Sequence, residues 1–326
     1  MNDWRYVLAR NRPTLIAFAS FVAMFAVYAA NHPAGFTANV VQTAANKGVL
    51  LALVAMAQTF AVITAGIDLS VGAVFVLSNC IASAIVVGTA SSAALGVAGV
   101  LVAGLACGAL NGLIVIVGRL QPIVTTIATG AIFSGLALIV RPTPGGDVYG
   151  PLADALTGRA FGVAPASLVA LAALVFIVWV PYARSPIGRA TYAVGSSEAA
   201  AYMSGAPVAR AKFVAYLLSG LLASIGGLFL TFVTYSGEAS AATAGSYTLY
   251  SIAAVVLGGV SLYGGSGSAI GAIFGALMFR TIGDLLFVFN LDPLWQPLFQ
   301  GLVLLAAVSL GAARLFQVRN RLELFP

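Results

Sequence analysis

The sequence predicts an all-α polytopic membrane protein, with about ten transmembrane helices, some short or broken, and both termini cytoplasmic. Three observations predict it. Of the 326 residues, 61% are hydrophobic and only 7% are charged, whereas soluble domains carry roughly 25% charged residues. The mean hydropathy is +1.04. Charge-free stretches recur at lengths near the roughly 20 residues that a helix needs to cross a bilayer. With no long soluble stretch, residues 1–326 read as a single transmembrane domain.

The first element is an uncleaved helix. Arg5, Arg10 and Arg12 precede an apolar run from Thr14 to Ala30 that resembles a signal peptide, but the run is too long for an h-region and further spans follow. The spans run Pro13 to Ala30, Gly48 to Ile67, Leu69 to Gly88, Ala93 to Gly118, Pro122 to Val140, Pro165 to Tyr182, Phe213 to Tyr235, Tyr247 to Leu262, Ser268 to Phe289 and Leu294 to Ala312. Two cuts fall within uncharged stretches too long for one helix. They are placed at the small or Gly-rich turns Gly88-Thr-Ala-Ser-Ser92 and Tyr263-Gly-Gly-Ser-Gly267.

Charge sets the orientation. With cytoplasmic termini, Arg5, Arg10, Arg12, Arg119, Arg184, Arg189, Arg210, Lys212, Arg314, Arg319 and Arg321 fall inside, and only Lys47, Arg141 and Arg159 fall outside. The largest inner segment is then 183–212 and the largest outer one 141–164, which is turn-rich and suited to cover the outer mouth or carry a short interfacial helix. The net charge of +6 is scattered over helix ends without a basic stripe, so membrane lipid is the expected partner and nucleic acid is not. Cys80 and Cys107 lie in apolar segments as small hydrophobes, and no ligand cluster for a metal accompanies them.

Catalysis is not expected. A nucleophile needs a base at close range, and the one histidine, His32, stands beside Pro33 at an outer helix end. The carboxylate that needs explaining is Asp68, in Gly66-Ile-Asp-Leu-Ser-Val-Gly72 near the inner end of the second span. It suits an N-cap for the third helix or a place in a pathway or gate. Uncharged polar residues within the spans, notably Gln58, Thr64, Asn79, Asn111, Thr125 and Ser251, suit a neutral hydrogen-bonding substrate such as a sugar; the competing reading is interhelical glue worth about 0.6 kcal/mol each. Gly66, Gly72, Gly258, Gly259, Gly264 and Gly265 read as helix breaks. Gly104, Gly108 and Gly112 bring helices close, and Arg280 and Asp284, four apart, are expected to pair on one helix face. Glu198 to Met203 is a short amphipathic helix, capped by Ser196 or Ser197 and ended by Gly205, which can dock into a partner's groove or serve as a linker.

Taken together, Phe36-Thr-Ala-Asn39, the Gly66–Gly72 stretch, Asn111-Gly112, Gln121-Pro-Ile-Val-Thr125, Gly188-Arg-Ala-Thr-Tyr-Ala-Val-Gly195, Glu198-Ala-Ala, Ile252-Ala-Ala-Val-Val-Leu-Gly-Gly259 and Gly264-Gly-Ser-Gly-Ser268 resemble the membrane subunits of ribose-type ABC importers, the monosaccharide permeases. The resemblance implies a ten-helix permease of the bacterial inner membrane. Its partners would be a second permease copy, in a homodimer or heterodimer, two cytoplasmic ABC ATPase subunits and a periplasmic sugar-binding protein. It also implies that the Gly195–Gly205 loop couples to the ATPase, through Glu198, Ala199, Ala200 and Gly205. No cofactor is expected in this chain: it has no Gly-x-x-x-x-Gly-Lys-Ser/Thr loop, and ATP and Mg belong to the partner ATPase. Two departures stand out. Ser246-Tyr-Thr-Leu-Tyr250 replaces a frequent Gly-Tyr-Glu-Leu-Asp, and Val194-Gly-Ser-Ser197 replaces Ile-Gly-Gly-Asn. The alternatives are a related importer for branched-chain amino acids or nucleosides, and an ion-coupled secondary carrier with Asp68 as its coupling carboxylate.

Overall fold

Helix α1 (Asp3–Asn31) accommodates Pro13 within its length. After it the chain turns at 32–37 into α2 (Ala38–Ile63), where Thr37 Oγ1 accepts from the Val40 N–H at 3.4 Å. The computed structural model describes residues 3–306, 308 and 309. Helix α2 begins well before the predicted Gly48 because the polar residues ahead of that glycine find partners. Gln42 and Asn46 both donate to the Thr157 carbonyl, at 2.9 and 2.8 Å, and Ser167 donates to Asn46 at 2.7 Å. From Gly48 to Ile63 every residue is buried, as expected of a helix apolar on all sides. The other helices assemble around it.

Helix α3 (Val71–Ile85) has 15 residues and spans only roughly 22 Å, less than the roughly 30 Å hydrocarbon core. Helix α4 (Ala90–Val117) opens with a capping box between Thr89 and Ser92, and α5 (Pro122–Val140) with proline in its first turn. The 141–164 segment carries the short helix α6 (Gly150–Thr157) and one strand of a small antiparallel ribbon, β1 (Arg159–Ala160) with β2 (Ala164–Pro165). A single apolar helix follows, made of α7 (Ala166–Leu174), a π-helical turn (Val175–Trp179) and α8 (Val180–Arg184). Pro181 has no N–H for the Ile177 carbonyl, which accounts for the widened turn.

Beyond it come α9 (Pro186–Ser196), α10 (Glu198–Met203), α11 (Val208–Thr234), α12 (Ala241–Leu257), α13 (Ala269–Val288) and α14 (Gln296–Ala306). Among the described residues, seven helices are long and apolar enough to cross a membrane, and α3, α12 and α14 are shorter apolar helices. The predicted end of the tenth span at Ala312, with Arg314, Arg319 and Arg321, lies outside the described residues. The α4–α11 contact depends on small residues: a Cβ on Gly104 would stand 2.2 Å from Ser224 Oγ, and one on Gly220 2.3 Å from the Gly104 carbonyl. The opposite face of α4 and much of α5 expose Leu95, Val102, Ile127, Ile132 and Ile139, an apolar surface that suits lipid.

Loops gather at two ends. One end, rich in arginine and here called the basic end, holds 64–70, 185–207 and 258–268. The other joins 141–149 to the segment after α11: Gly145 and Gly237 form a β-bridge, and Tyr235 donates to Asp154. That hydrogen bond is the main reason the Tyr235 hydroxyl titrates above its ordinary range, with burial and the carboxylate charge adding to it.

Candidate functional site

The chain between α2 and α3 turns inward. Thr64 closes α2 by donating to the Ala61 carbonyl at 2.7 Å. Asp68, almost fully buried, accepts from the Ser70 N–H at 3.0 Å and the Ser70 hydroxyl at 2.6 Å through Oδ1, and from the Ser219 hydroxyl at 2.9 Å through Oδ2. Ser219 lies eleven residues after Val208 in α11, roughly 16 Å along it. Asp68 is therefore inside the bundle, deeper than the inner helix end predicted for it. Its cap contact also differs from the simple one. Ser70 occupies the cap position of α3 but its hydroxyl does not cap the helix amides, and Asp68 holds the Ser70 amide.

Further bonds converge on this turn. With its amide oriented to satisfy both groups, Gln58 donates to the Asp68 carbonyl at 2.8 Å and accepts from its N–H at 3.3 Å. Asn111 donates to Ser70 Oγ at 2.7 Å and accepts from Thr129 Oγ1 at 2.6 Å. The Leu69 and Gly72 amides donate to Thr126 Oγ1 at 2.9 Å and Thr248 Oγ1 at 3.1 Å. Thr248, whose hydroxyl is neutral, serves the first turn of α3. Helices α2, α4, α5, α11 and α12 are thus tied to one buried knot, in which each polar group is spent on another.

The sequence-predicted pathway residues divide accordingly. Gln58, Asp68 and Asn111 meet in the knot. Ser251 bonds within its own helix, to the Thr248 carbonyl at 2.7 Å. Asn79 sits elsewhere, donating to Thr231 Oγ1 at 2.9 Å and the Ser236 carbonyl at 3.0 Å while accepting from the Glu238 amide at 3.0 Å. The Thr125 hydroxyl is buried without a partner. Thr64 lines a cavity of about 220 Å³ at the basic end, with Gly66, Gly195, Glu198, Lys212 and Tyr216.

Gly66, Gly258, Gly259, Gly264 and Gly265 do fall between helices or at their ends. Gly72 does not. It is inside the first turn of α3, where a Cβ would stand 2.0 Å from the Ala244 carbonyl, so its role is close approach to α12.

Helix α9 packs directly under the knot. A Cβ on Gly195 would lie 1.8 Å from the Ile63 carbonyl and 2.5 Å from the Gly265 amide, and that amide bonds to the Ile63 carbonyl at 3.0 Å. Helix α10 hangs from α9. Ser197 caps it, Ala201 is buried against Ala190, Val194 and Ala211, and Glu198 pairs with Lys212 at 2.6 Å. Glu198, Ala199, Ala200 and Gly205 are exposed. So are Tyr202 (73%) and Met203 (84%), which the sequence reading passed over; two large apolar side chains in a segment otherwise of small residues were the available signal.

A second cavity, about 420 Å³, lies between α1, α2, α13 and α14 toward the other end, lined by Tyr28, His32, Lys47, Arg280, Asp284 and Gln296 among others. Arg280 and Asp284 share it but do not form the predicted pair: among the described residues Lys212–Glu198 is the one ion pair within 4.0 Å. The two charges face an open space instead of closing on each other.

Residues 40–308 match the family described as the branched-chain amino acid transport system / permease component. The chain belongs to this permease family. Among its relatives are the ribose import permease protein RbsC of Bacillus subtilis, 36% identical over 79% of this chain and 80% of the relative, and the D-allose transport system permease protein AlsC of Escherichia coli, 32% identical over 84% and 83%. The autoinducer 2 import system permease protein LsrC of Klebsiella pneumoniae is 35% identical over 93% and 87%. No solved structure matches significantly. As a member of the permease family, the chain is a multi-pass subunit of the inner membrane.

Proposed function

We propose that this permease is the membrane-spanning subunit of an ATP-driven importer for a monosaccharide, with its basic end in the cytoplasm. The cargo rests on the relatives, whose names specify ribose and D-allose. The orientation rests on the arginine bias. The observation that carries the mechanism is the contact of Gly195 with the end of α2 and the 264–265 turn. An ATPase bound to α10 would move α9, and α9 has no side chain at Gly195 to absorb the motion, so the push passes to the chain leading into the Asp68 knot. Five helices hang from that knot, which makes it a natural pivot for switching access between the two sides. A periplasmic binding protein would deliver the sugar at the opposite end, and a second permease copy would complete the pathway.

Uptake of labelled D-ribose and D-allose by cells expressing the whole importer tests the cargo; uptake of leucine with neither sugar carried would favour the amino-acid reading that the family description allows. The coupling helix has its own tests. Proline at Glu198 would be a poor probe, since Glu198 is the first residue of α10 and proline is tolerated there. Ala201→Pro removes the amide that bonds to the Ser197 carbonyl at 2.9 Å and puts a ring into a buried position, so sugar-stimulated ATP hydrolysis is expected to vanish. Tyr202→Asp with Met203→Asp leaves the fold intact because both side chains are exposed. The double variant is expected to reach the membrane normally but to copurify about tenfold less ATPase, as loss of an apolar anchor does at other interfaces. Unchanged copurification would remove α10 from the interface.

A further inference from the structure

The second cavity gathers charged and amide side chains that have no partner within the protein among the described residues. Lys47, Arg280, Asp284 and Gln296 line it, and no hydrogen bond or ion pair within the protein engages their side chains among the described residues. Asp284 shares the cavity with Arg280 and Lys47 but forms an ion pair with neither. Depth gives this meaning. Arg280 is eight residues before Val288, the end of α13, roughly 12 Å into the helix. A charged side chain at such depth faces the bundle interior or water, because facing acyl chains costs roughly 2.5–3.5 kcal/mol at the helix centre. Thr43 and Lys47, on the α2 side, are exposed, so the cavity opens at the surface of the single chain and water can enter it.

We infer that this cavity is the water-filled outer mouth of the transport pathway, and that Arg280, Asp284 and Lys47 bind the hydroxyls of a neutral monosaccharide there; the inference rests on the orientation and cargo proposed above. The chemistry fits a polyol. Two cations donate, one carboxylate accepts, the Gln296 amide does both, and Tyr28 and Phe287 add ring surface. A phosphate or other anion would have to approach Asp284. The volume of about 420 Å³ is within the roughly 300–1,000 Å³ of small-molecule sites.

The test uses the whole importer in cells. Cys80 and Cys107 are buried, so a Thr43→Cys variant carries the reactive thiol. A bulky, membrane-impermeant thiosulfonate added outside is expected to label Thr43→Cys and to lower its D-ribose or D-allose uptake about tenfold or more, while leaving the unsubstituted importer unaffected. Asp284→Asn is expected to assemble with the ATPase in normal amount but to lose uptake by about tenfold, the loss that one charge-assisted hydrogen bond accounts for. A Thr43→Cys thiol that does not react from outside overturns the mouth. Reaction without loss of uptake, together with normal uptake by Asp284→Asn, overturns sugar binding in it. An unsubstituted importer that carries neither sugar overturns the cargo proposed above instead; labelling of Thr43→Cys then still supports an open mouth, and its absence still refutes one.

Discussion

Replacing Gly195 by valine is expected to abolish transport. At this position even the first added carbon would stand 1.8 Å from the Ile63 carbonyl oxygen and 2.5 Å from the Gly265 amide nitrogen. Both neighbours are backbone, so neither can rotate away as a flexible side chain would. Relief requires α9 to move off the end of α2, and that movement breaks the Gly265–Ile63 hydrogen bond of 3.0 Å. Overpacking a tight interior costs roughly 1–3 kcal/mol even when some adjustment is possible, and here the adjustment separates the parts through which the ATPase is proposed to act. Sugar uptake should fall at least about tenfold below wild type, since each 1.4 kcal/mol is a factor of ten, with ATP hydrolysis no longer responding to sugar. Gly245→Ala is the control: no atom lies within 4 Å of the added carbon, and uptake should be unchanged. Wild-type uptake by Gly195→Val would mean that α9 does not transmit force.

The second large effect is expected at Asp68, where two substitutions separate structure from charge. Asp68→Ala leaves the Ser70 amide and the Ser70 and Ser219 hydroxyls without the acceptor they now share. Each buried orphan costs roughly 1–3 kcal/mol, and the groups belong to one network, so the protein should fail to accumulate in the membrane or should melt well below wild type in detergent. Asp68→Asn keeps an oxygen for Ser70, and its amide can donate to the Ser219 hydroxyl. That variant should assemble normally and retain uptake within about threefold, a change under 1 kcal/mol. Normal assembly of Asp68→Asn with uptake lost would show that the negative charge itself takes part in gating, and the knot would then be more than a pivot.

The membrane character, the many apolar helices, seven of them long enough to span among the described residues, and the existence of breaks near Asp68 and in 258–268 were legible in the chain, because each depends on local composition: apolar runs, charge at their ends, and glycine-rich turns. Boundaries were less legible where distant partners intervened. Helix α2 extends back to Ala38 because Thr157 and Ser167, far along the chain, satisfy Gln42 and Asn46. Gly72 looked like a break because sequence cannot distinguish a glycine that ends a helix from one that admits a neighbouring backbone. Candidate polar residues were found as types, but their grouping was not visible. Gln58 and Asn111 join Asp68 while Asn79 lies with Thr231 and Ser236.

Arg280 and Asp284 show the division most plainly. Their spacing of four residues places them on one face of a helix whatever the fold, and this much was readable from the sequence. Whether they close on each other or stand apart around a cavity depends on what α1, α2 and α14 bring opposite them, and α1 and α2 arrive from the far end of the chain. Local spacing sets which side chains can meet; packing between distant segments decides whether charged groups such as Arg280 and Asp284 close on each other or line a cavity.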